Sequence, residues 1–457
     1  MKNTILFFVS AIVVLAVYLT SSSSASIGMS VVTLLLGLLL VLLFGRKNNR
    51  TEMTTALLAA FIVVTLATIV QYLSYTANFS SFASEYNDNY KFWITSQEGI
   101  TAESLYQLYN DCIIQNIHYE NGGYYLYIKS LAYLATKFAD GNHLLLQQLG
   151  TAMPCIFSSI VVYAILLPFS PQRKVLNYTL LFIIFSPLIL HSVGVHRDSV
   201  IAFLYFIVIY LWLCKDFNFK IGILQIAIAV LLYYFREQHG LFALSFVVLS
   251  AVSSHKRKRW YYVVAIIVLV AIVGSSYLIS LIQSNYEATN EYYTNRLSNA
   301  LSGFDSGIGR YVYMLPTPLR QIAQIVFINL RFPPWLALSS ATSFYAGAIG
   351  ILSLAVAVVW FYVFSFSLVA MHNAGFKVLP TKIVYGLILL VIFLFLNSNN
   401  MDSRRVVCMF PLLYVTFVYY REMIQFKIIG HRHFTRKYAF SYLIVCVAYL
   451  VVKTIAG

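Results

Sequence analysis

Charge is what this sequence has least of. Only 10% of its 457 residues are Asp, Glu, Lys or Arg, while 60% are hydrophobic. A soluble domain carries roughly a quarter charged residues, so the composition excludes an ordinary globular protein in water. Acids are scarcer still, 16 against 31 Lys and Arg. Cysteine carries no chemistry by pattern: Cys112, Cys155, Cys214, Cys408 and Cys446 show neither pairing nor metal-ligand spacing, and four of them fall in apolar runs. No disulfide framework, metal or cofactor is expected. Alternating segments of about ten residues are missing, which excludes a transmembrane β-barrel. The lack of an internal repeat removes support for inverted-repeat transporter architecture.

Long apolar runs are what the chain does have. Stretches of about 20 residues recur from end to end, long enough for a hydrocarbon core about 30 Å thick. The expected fold is all-α, a polytopic integral membrane protein with about 13 transmembrane helices at 4–20, 28–45, 54–75, 143–167, 175–195, 199–214, 219–235, 239–254, 260–282, 347–371, 383–397, 405–420 and 438–453. Lys2, the run Thr4–Thr20 and a serine cluster have the form of a secretory signal, but 28–45 follows at once, so a retained first helix is expected.

The net charge of +15 is explained by topology rather than by nucleic acid, since the basic residues sit in short connections. With the N-terminus inside, 19 of the 31 Lys and Arg but only three of the 16 acids (Glu52, Asp216 and Glu422) lie on the inner side. By the positive-inside rule this places the N-terminus in the cytoplasm and the C-terminus outside. Five regions follow: an N-terminal three-helix segment (1–75), a first outer loop (76–142), a central bundle (143–283), a second outer segment (284–346) and a C-terminal bundle (347–457). In the first loop Gly123–Phe138 reads as an amphipathic helix near the interface. In the second, Gln321–Asn329 before Arg331-Phe332-Pro333-Pro334-Trp335 is too short and broken to span simply, and reads as re-entrant or interfacial.

Three charged junctions interrupt the apolar runs on the outer side: His196-Arg197-Asp198, Arg236-Glu237-Gln238-His239 and Asp402-Ser403-Arg404-Arg405. A charge at the bilayer centre costs about 2.5–3.5 kcal/mol on insertion scales, so such residues are functional candidates. Arg197, Arg236, Arg404 and Arg405 suit an anionic group at the lipid boundary, because the guanidinium fork binds phosphate bidentately and keeps its charge. Blander readings stay open. Arg197 and Asp198 fit a self-neutralising pair at a helix start. Arg236, Arg404 and Arg405 fit headgroup anchors, and His239 fits a structural hydrogen-bonding residue. The first outer loop adds Glu85-Tyr86-Asn87-Asp88-Asn89-Tyr90-Lys91 and Tyr119-Glu120-Asn121-Gly122-Gly123-Tyr124-Tyr125. Aromatic rings beside short polar side chains suit a sugar surface, or an ordinary interfacial aromatic belt.

At these residues the chain resembles the bacterial polymerases of polysaccharide repeat units, of the Wzy and EpsG type, a group loosely related to GT-C membrane glycosyltransferases. The likeness lies in Asn87-Asp88-Asn89-Tyr90, Glu120-Asn121-Gly122-Gly123-Tyr124-Tyr125, Arg197-Asp198-Ser199-Val200, Glu237-Gln238-His239 and Arg404-Arg405-Val406, and covers roughly residues 80–420. Each motif is loose, and their order and topology carry the case. The family has a larger late periplasmic loop, a role that falls here to Ser284–Ala346.

The resemblance implies a bacterial inner-membrane enzyme acting at the periplasmic face on undecaprenyl-diphosphate-linked oligosaccharide, without metal or cofactor. Its partners would be membrane lipid and a chain-length regulator protein, with no nucleic acid. Arg197, Arg236, Arg404 and Arg405 would hold the diphosphate, and Asp88, Glu120, Asp198 or His239 would take the proton, with Asp88 slightly ahead. A GT-C transferase using polyprenyl-phosphate sugars fits less well, because Glu85 and Asp88 are isolated and follow the third run rather than the first. An O-antigen ligase shares the chemistry. A lipid-linked sugar flippase needs charges near the midplane, whereas these cluster at span ends.

Overall fold

The computed structural model describes residues 2–84, 87–115, 121–253, 312, 314–316, 319–330, 334–397, 403–422 and 431–455, and its secondary-structure elements are all helical. Three helices open the chain: α1 (Lys2–Ser21), α2 (Ser24–Phe44) and α3 (Arg50–Ala77). A polar segment built on α4 (Asp88–Gln97) and α5 (Gly122–Phe138) follows. Then come α6 (Leu144–Leu166), α7 (Gln172–Phe185), α8 (Pro187–Ser192), α9 (Asp198–Cys214), α10 (Phe219–Phe235) and α11 (Glu237–Val252). The last group is α12 (Leu319–Leu330), α13 (Phe344–Ala374), α14 (Thr381–Asn397), α15 (Phe410–Glu422) and α16 (His431–Ile455).

By length and composition six of these are able to cross a membrane: α1, α2, α3, α6, α13 and α16. The apolar helices α9, α10 and α14 have 17 residues each, about 25 Å at 1.5 Å per residue. That stands at the lower end of the about 17–25 residues that a helix needs to cross a core about 30 Å thick. The expected run 260–282 lies outside the described residues. The run 175–195 is not one helix. It breaks at Ser186, because Pro187 has no N–H to continue the ladder and instead opens α8. The run 405–420 likewise starts as two 3₁₀ turns, Ser403–Arg405 and Val407–Met409, before α15. At twelve residues α12 is about 18 Å long, in keeping with a non-spanning piece. Its Asn329 accepts a hydrogen bond from Trp360 Nε1 on α13 at 3.1 Å.

On α1 the side chains Ile5, Phe8, Ile12, Leu15 and Leu19 are exposed at helical spacing, while Ser10, Val13 and Val17 are buried. An apolar stripe turned outward is the reverse of a soluble helix and suits hydrocarbon surroundings. The opposite pole is α6, buried along almost its whole length. Its Pro154 cannot donate to the Gly150 carbonyl. Tyr127 of α5 donates there instead, at 2.7 Å. Gly150 also leaves room for Leu131 of α5, whose Cδ1 would stand 2.5 Å from a Cβ there. The amphipathic helix is therefore present, but its apolar face (Tyr124, Ile128, Ala132 and Ala135) is covered by protein rather than lying on lipid.

Contacts between helix ends join positions that charge balance puts on one side. Asp140 accepts from Ser24 N at 2.8 Å and Ala25 N at 2.9 Å, capping α2 from a distant loop. Asn78 donates to Thr342 at 2.9 Å. At the other pole Tyr163 donates to Glu52, Lys174 meets Glu422 at 2.7 Å, and Lys382 donates to the Lys215 carbonyl at 3.1 Å.

Candidate functional site

The three charged junctions are short for local reasons. Arg197 sits at the start of α9, its carbonyl accepting from Val200 N and Ile201 N at 3.1 Å each. Arg236 alone links α10 to α11, in extended conformation with φ −170° and ψ 116°. Gly240 makes that hairpin possible, because a Cβ there would stand 2.6 Å from Tyr233 Cα. Arg404 and Arg405 lie on the 3₁₀ turn after α14. In the first two junctions no loop is long enough to carry the charge away from the bundle.

The polar segment grips all three junctions. Asn89 Oδ1 accepts from Val195 N at 2.7 Å, two residues before Arg197. Asp88, beside it in the chain, receives Arg404 Nη1 at 2.5 Å. Gly123, near the start of α5, lies against the end of α10, where a Cβ would be 2.9 Å from the Tyr234 carbonyl oxygen. The junctions also meet each other, His191 Nε2 lying 2.9 Å from Ser403 Oγ. Tyr205 of α9 donates to the His239 carbonyl at 2.9 Å.

At the centre His239 is buried, 2% exposed. The charges of Arg236, Arg197 and Arg405 all reach its ring, and Tyr205 and Phe393 pack on it at 5.5 and 5.6 Å. Neither ring nitrogen makes a hydrogen bond among the described residues, and neither does the buried Nη1 of Arg197. Arg236 and Asp198 are each 6% exposed. Among the described residues Arg197 and Asp198 make no ion pair within 4 Å, and Asp198 stands in the first turn of α9, where the helix dipole favours an acid. Desolvation alone would raise the Asp88 carboxyl. The hydrogen bond and charge of Arg404, with His196 and Lys91 beyond, outweigh it and hold the group below the usual carboxylate range.

Of the residues singled out in the sequence, the structure brings Asp88, Asp198, His239, Arg197, Arg236, Arg404 and Arg405 to one end of the bundle. Glu120 lies outside the described residues, as do Asp402, Glu85 and Tyr86. Tyr124 is fully buried and tied to Thr151, which makes it packing rather than sugar surface. Sequence reasoning passed over Gly194 and Tyr205, and it placed Asn89 in a sugar-surface stretch without foreseeing its bond to Val195 N. A hydrogen bond to a main-chain N–H 106 residues away leaves no periodic trace. Among the described residues no group of three or more His, Cys, Asp or Glu side chains is placed to hold a metal ion.

No family model matches the chain, and neither a curated protein nor a solved structure matches it.

Proposed function

We propose that the chain is an inner-membrane polymerase that joins undecaprenyl-diphosphate-linked oligosaccharide repeat units at the periplasmic face. The carrying observation is that one polar segment holds the three junctions that bear Arg197, Arg236, Arg404 and Arg405, through Asn89, Gly123 and Asp88, beside a buried imidazole with no hydrogen-bond partner among the described residues. Guanidinium groups gathered at one end of the bundle, with the acids Asp88 and Asp198 among them, suit an anion that arrives with its substrate, because the planar fork binds phosphate oxygens bidentately and keeps its charge. A diphosphate carries that charge, and on departure as a leaving group it gains more. Donors already aimed at it favour the transition state without a metal.

In the reaction the acceptor sugar hydroxyl oxygen bonds to the anomeric carbon of the donor glycan. The bond from that carbon to the diphosphate oxygen breaks, and its electron pair leaves with undecaprenyl diphosphate. The hydroxyl proton passes to a base: Arg404 occupies Asp88 and lowers its proton affinity, while burial and the neighbouring arginines oppose a further positive charge on His239. Asp198 and Glu120 complete the set of candidate bases. Arg404, which holds Asp88, forms the outer edge of the diphosphate site. The thirteen-span topology, with the N-terminus in the cytoplasm and the C-terminus outside, belongs to the same proposal, as does a chain-length regulator protein as partner.

Arg197→Ala, Arg236→Ala and Arg405→Ala are each expected to abolish long-chain glycan while lipid-linked single repeat units accumulate on the outer leaflet. Full-length polymer from all three variants would sink the diphosphate site. Single units trapped on the inner leaflet would point to a flippase instead.

A further inference from the structure

We infer that Asn89 is a positioning residue for the arginine site: with its neighbour Asp88 it fixes the main chain leading to Arg197 relative to the turn that carries Arg404. The inference rests on the polymerase reading for what the arginines bind, but its geometry stands without it. Asn89 is buried, 8% exposed, and its Oδ1 accepts from Val195 N at 2.7 Å. The fit at that point is made for this oxygen, since a Cβ on Gly194 would come within 2.3 Å of it. Asn87 orients the donor side: its Oδ1 accepts from Asn89 N at 3.0 Å and Asn89 Nδ2 at 3.2 Å, so the amide is pinned in one orientation.

One residue earlier, Asp88 holds Arg404 Nη1 at 2.5 Å. Two adjacent residues at the start of α4 thus bind two junctions that are about 200 residues apart in sequence. The turn thus adds a second tie between Arg197 and Arg404, beside the direct contact of His191 with Ser403 and the packing of α9 on the turn Val407–Met409. Displacements of about 1 Å in groups that bind a transition state are enough to cost a hundredfold in rate, so such a strap is a direct lever on the site.

The experiment is a double-mutant cycle in full-length protein held in lipid nanodiscs. Asn89→Ala removes the acceptor. Gly194→Ala pushes it away. Asn89→Asp keeps an oxygen in place. Two quantities are read: amide hydrogen exchange over 193–197, and the affinity for undecaprenyl diphosphate itself. Each of Asn89→Ala and Gly194→Ala is expected to speed exchange and to weaken binding about tenfold, as loss of one buried hydrogen bond does. The double variant is expected to be no worse than either alone, since both act on one contact. Asn89→Asp keeps the acceptor but turns a second oxygen toward Asn87 Oδ1, so it is expected to bind and exchange between the parent and Asn89→Ala. Ser96→Ala, which breaks the 3.0 Å bond from Asn142 within the same polar segment, is expected to leave affinity unchanged.

Exchange over 193–197 that does not respond to Asn89→Ala overturns the inference. So do single effects that multiply in the double variant, or a Ser96→Ala variant as weak as Asn89→Ala. A parent protein that binds no undecaprenyl diphosphate, while exchange follows the expected cycle, removes the polymerase reading and supports the positioning of this backbone by Asn89.

Discussion

Asp88 and His239 separate two roles that the sequence left together. Asp88 is ion-paired to Arg404, with side chains 42% and 29% exposed, and solvent screening leaves such a pair roughly 0–1 kcal/mol of stability. His239 is buried and unbonded among the described residues. Replacing it with Phe therefore leaves no stranded partner and is expected to change stability by about 1 kcal/mol or less, while glycan transfer is lost. A thermal melt with a polymer assay on the same preparation checks both, and transfer that survives rules His239 out as the base. Acid behaviour follows from the carboxylates. Desolvation alone would raise Asp140, but the N–H groups of Ala25 and Ser24 outweigh it and bring it down to about 2. A carboxylate whose folded value is depressed stabilises the fold above its ordinary range and loses that contribution as pH falls through the folded value. Melting temperature should accordingly decline between pH 4 and pH 2, and Asp140→Asn should flatten that decline. An equally steep decline in the variant would show that this cap is not its source.

At the scale of the helix, the contact between α5 and α6 depends on a proline. Pro154 leaves the Gly150 carbonyl without its helical donor, and Tyr127 supplies one. Tyr127→Phe is expected to cost about 1–3 kcal/mol, the cost of a buried acceptor left unmade. In a Pro154→Ala background the restored N–H competes for the same carbonyl, so Tyr127→Phe should cost much less there. Unfolding measured on the four proteins of this cycle decides it, and equal costs in both backgrounds would mean that the bond does not hold α5 in place. The same pair shows what the sequence makes legible. Periodicity and the glycine pair at 122–123 mark α5 to within a residue of its start. They do not reveal what covers its apolar face, because lipid and protein ask for the same residues. Pro187 and Pro154 look alike in the sequence and act differently: one ends a helix, while the other is carried inside α6 by a tyrosine from elsewhere. The arginine junctions were legible because charge is rare in this chain. Asn89 stood in one of the motifs, but its role was not legible, because a polar residue in a polar segment reveals its task only once its distant partner is known.

Across the whole molecule, the two ends of the bundle are chemically unlike. Of the three inner acids, Glu52 is bonded by Tyr163 and Glu422 by Tyr178 and Lys174, and all three are far outnumbered by the Lys and Arg of the short connections at that end. The positive-inside rule then assigns that end to the cytoplasm, and the arginine junctions, tied to the polar segment by Asp88 and Asn89, to the far side. Single cysteines can test the assignment. Gln107 and Lys377 are both exposed, the first in the polar segment and the second in the short connection between α13 and α14. Of the native cysteines, Cys112, Cys155 and Cys408 are buried and add little background. In intact cells a membrane-impermeant maleimide is expected to label Gln107→Cys and to spare Lys377→Cys until the cells are opened. The reverse pattern would put the arginine site on the cytoplasmic side, where a substrate presented at the outer leaflet never arrives. The polymerase reading would then fall even though every contact within the site stayed as it is.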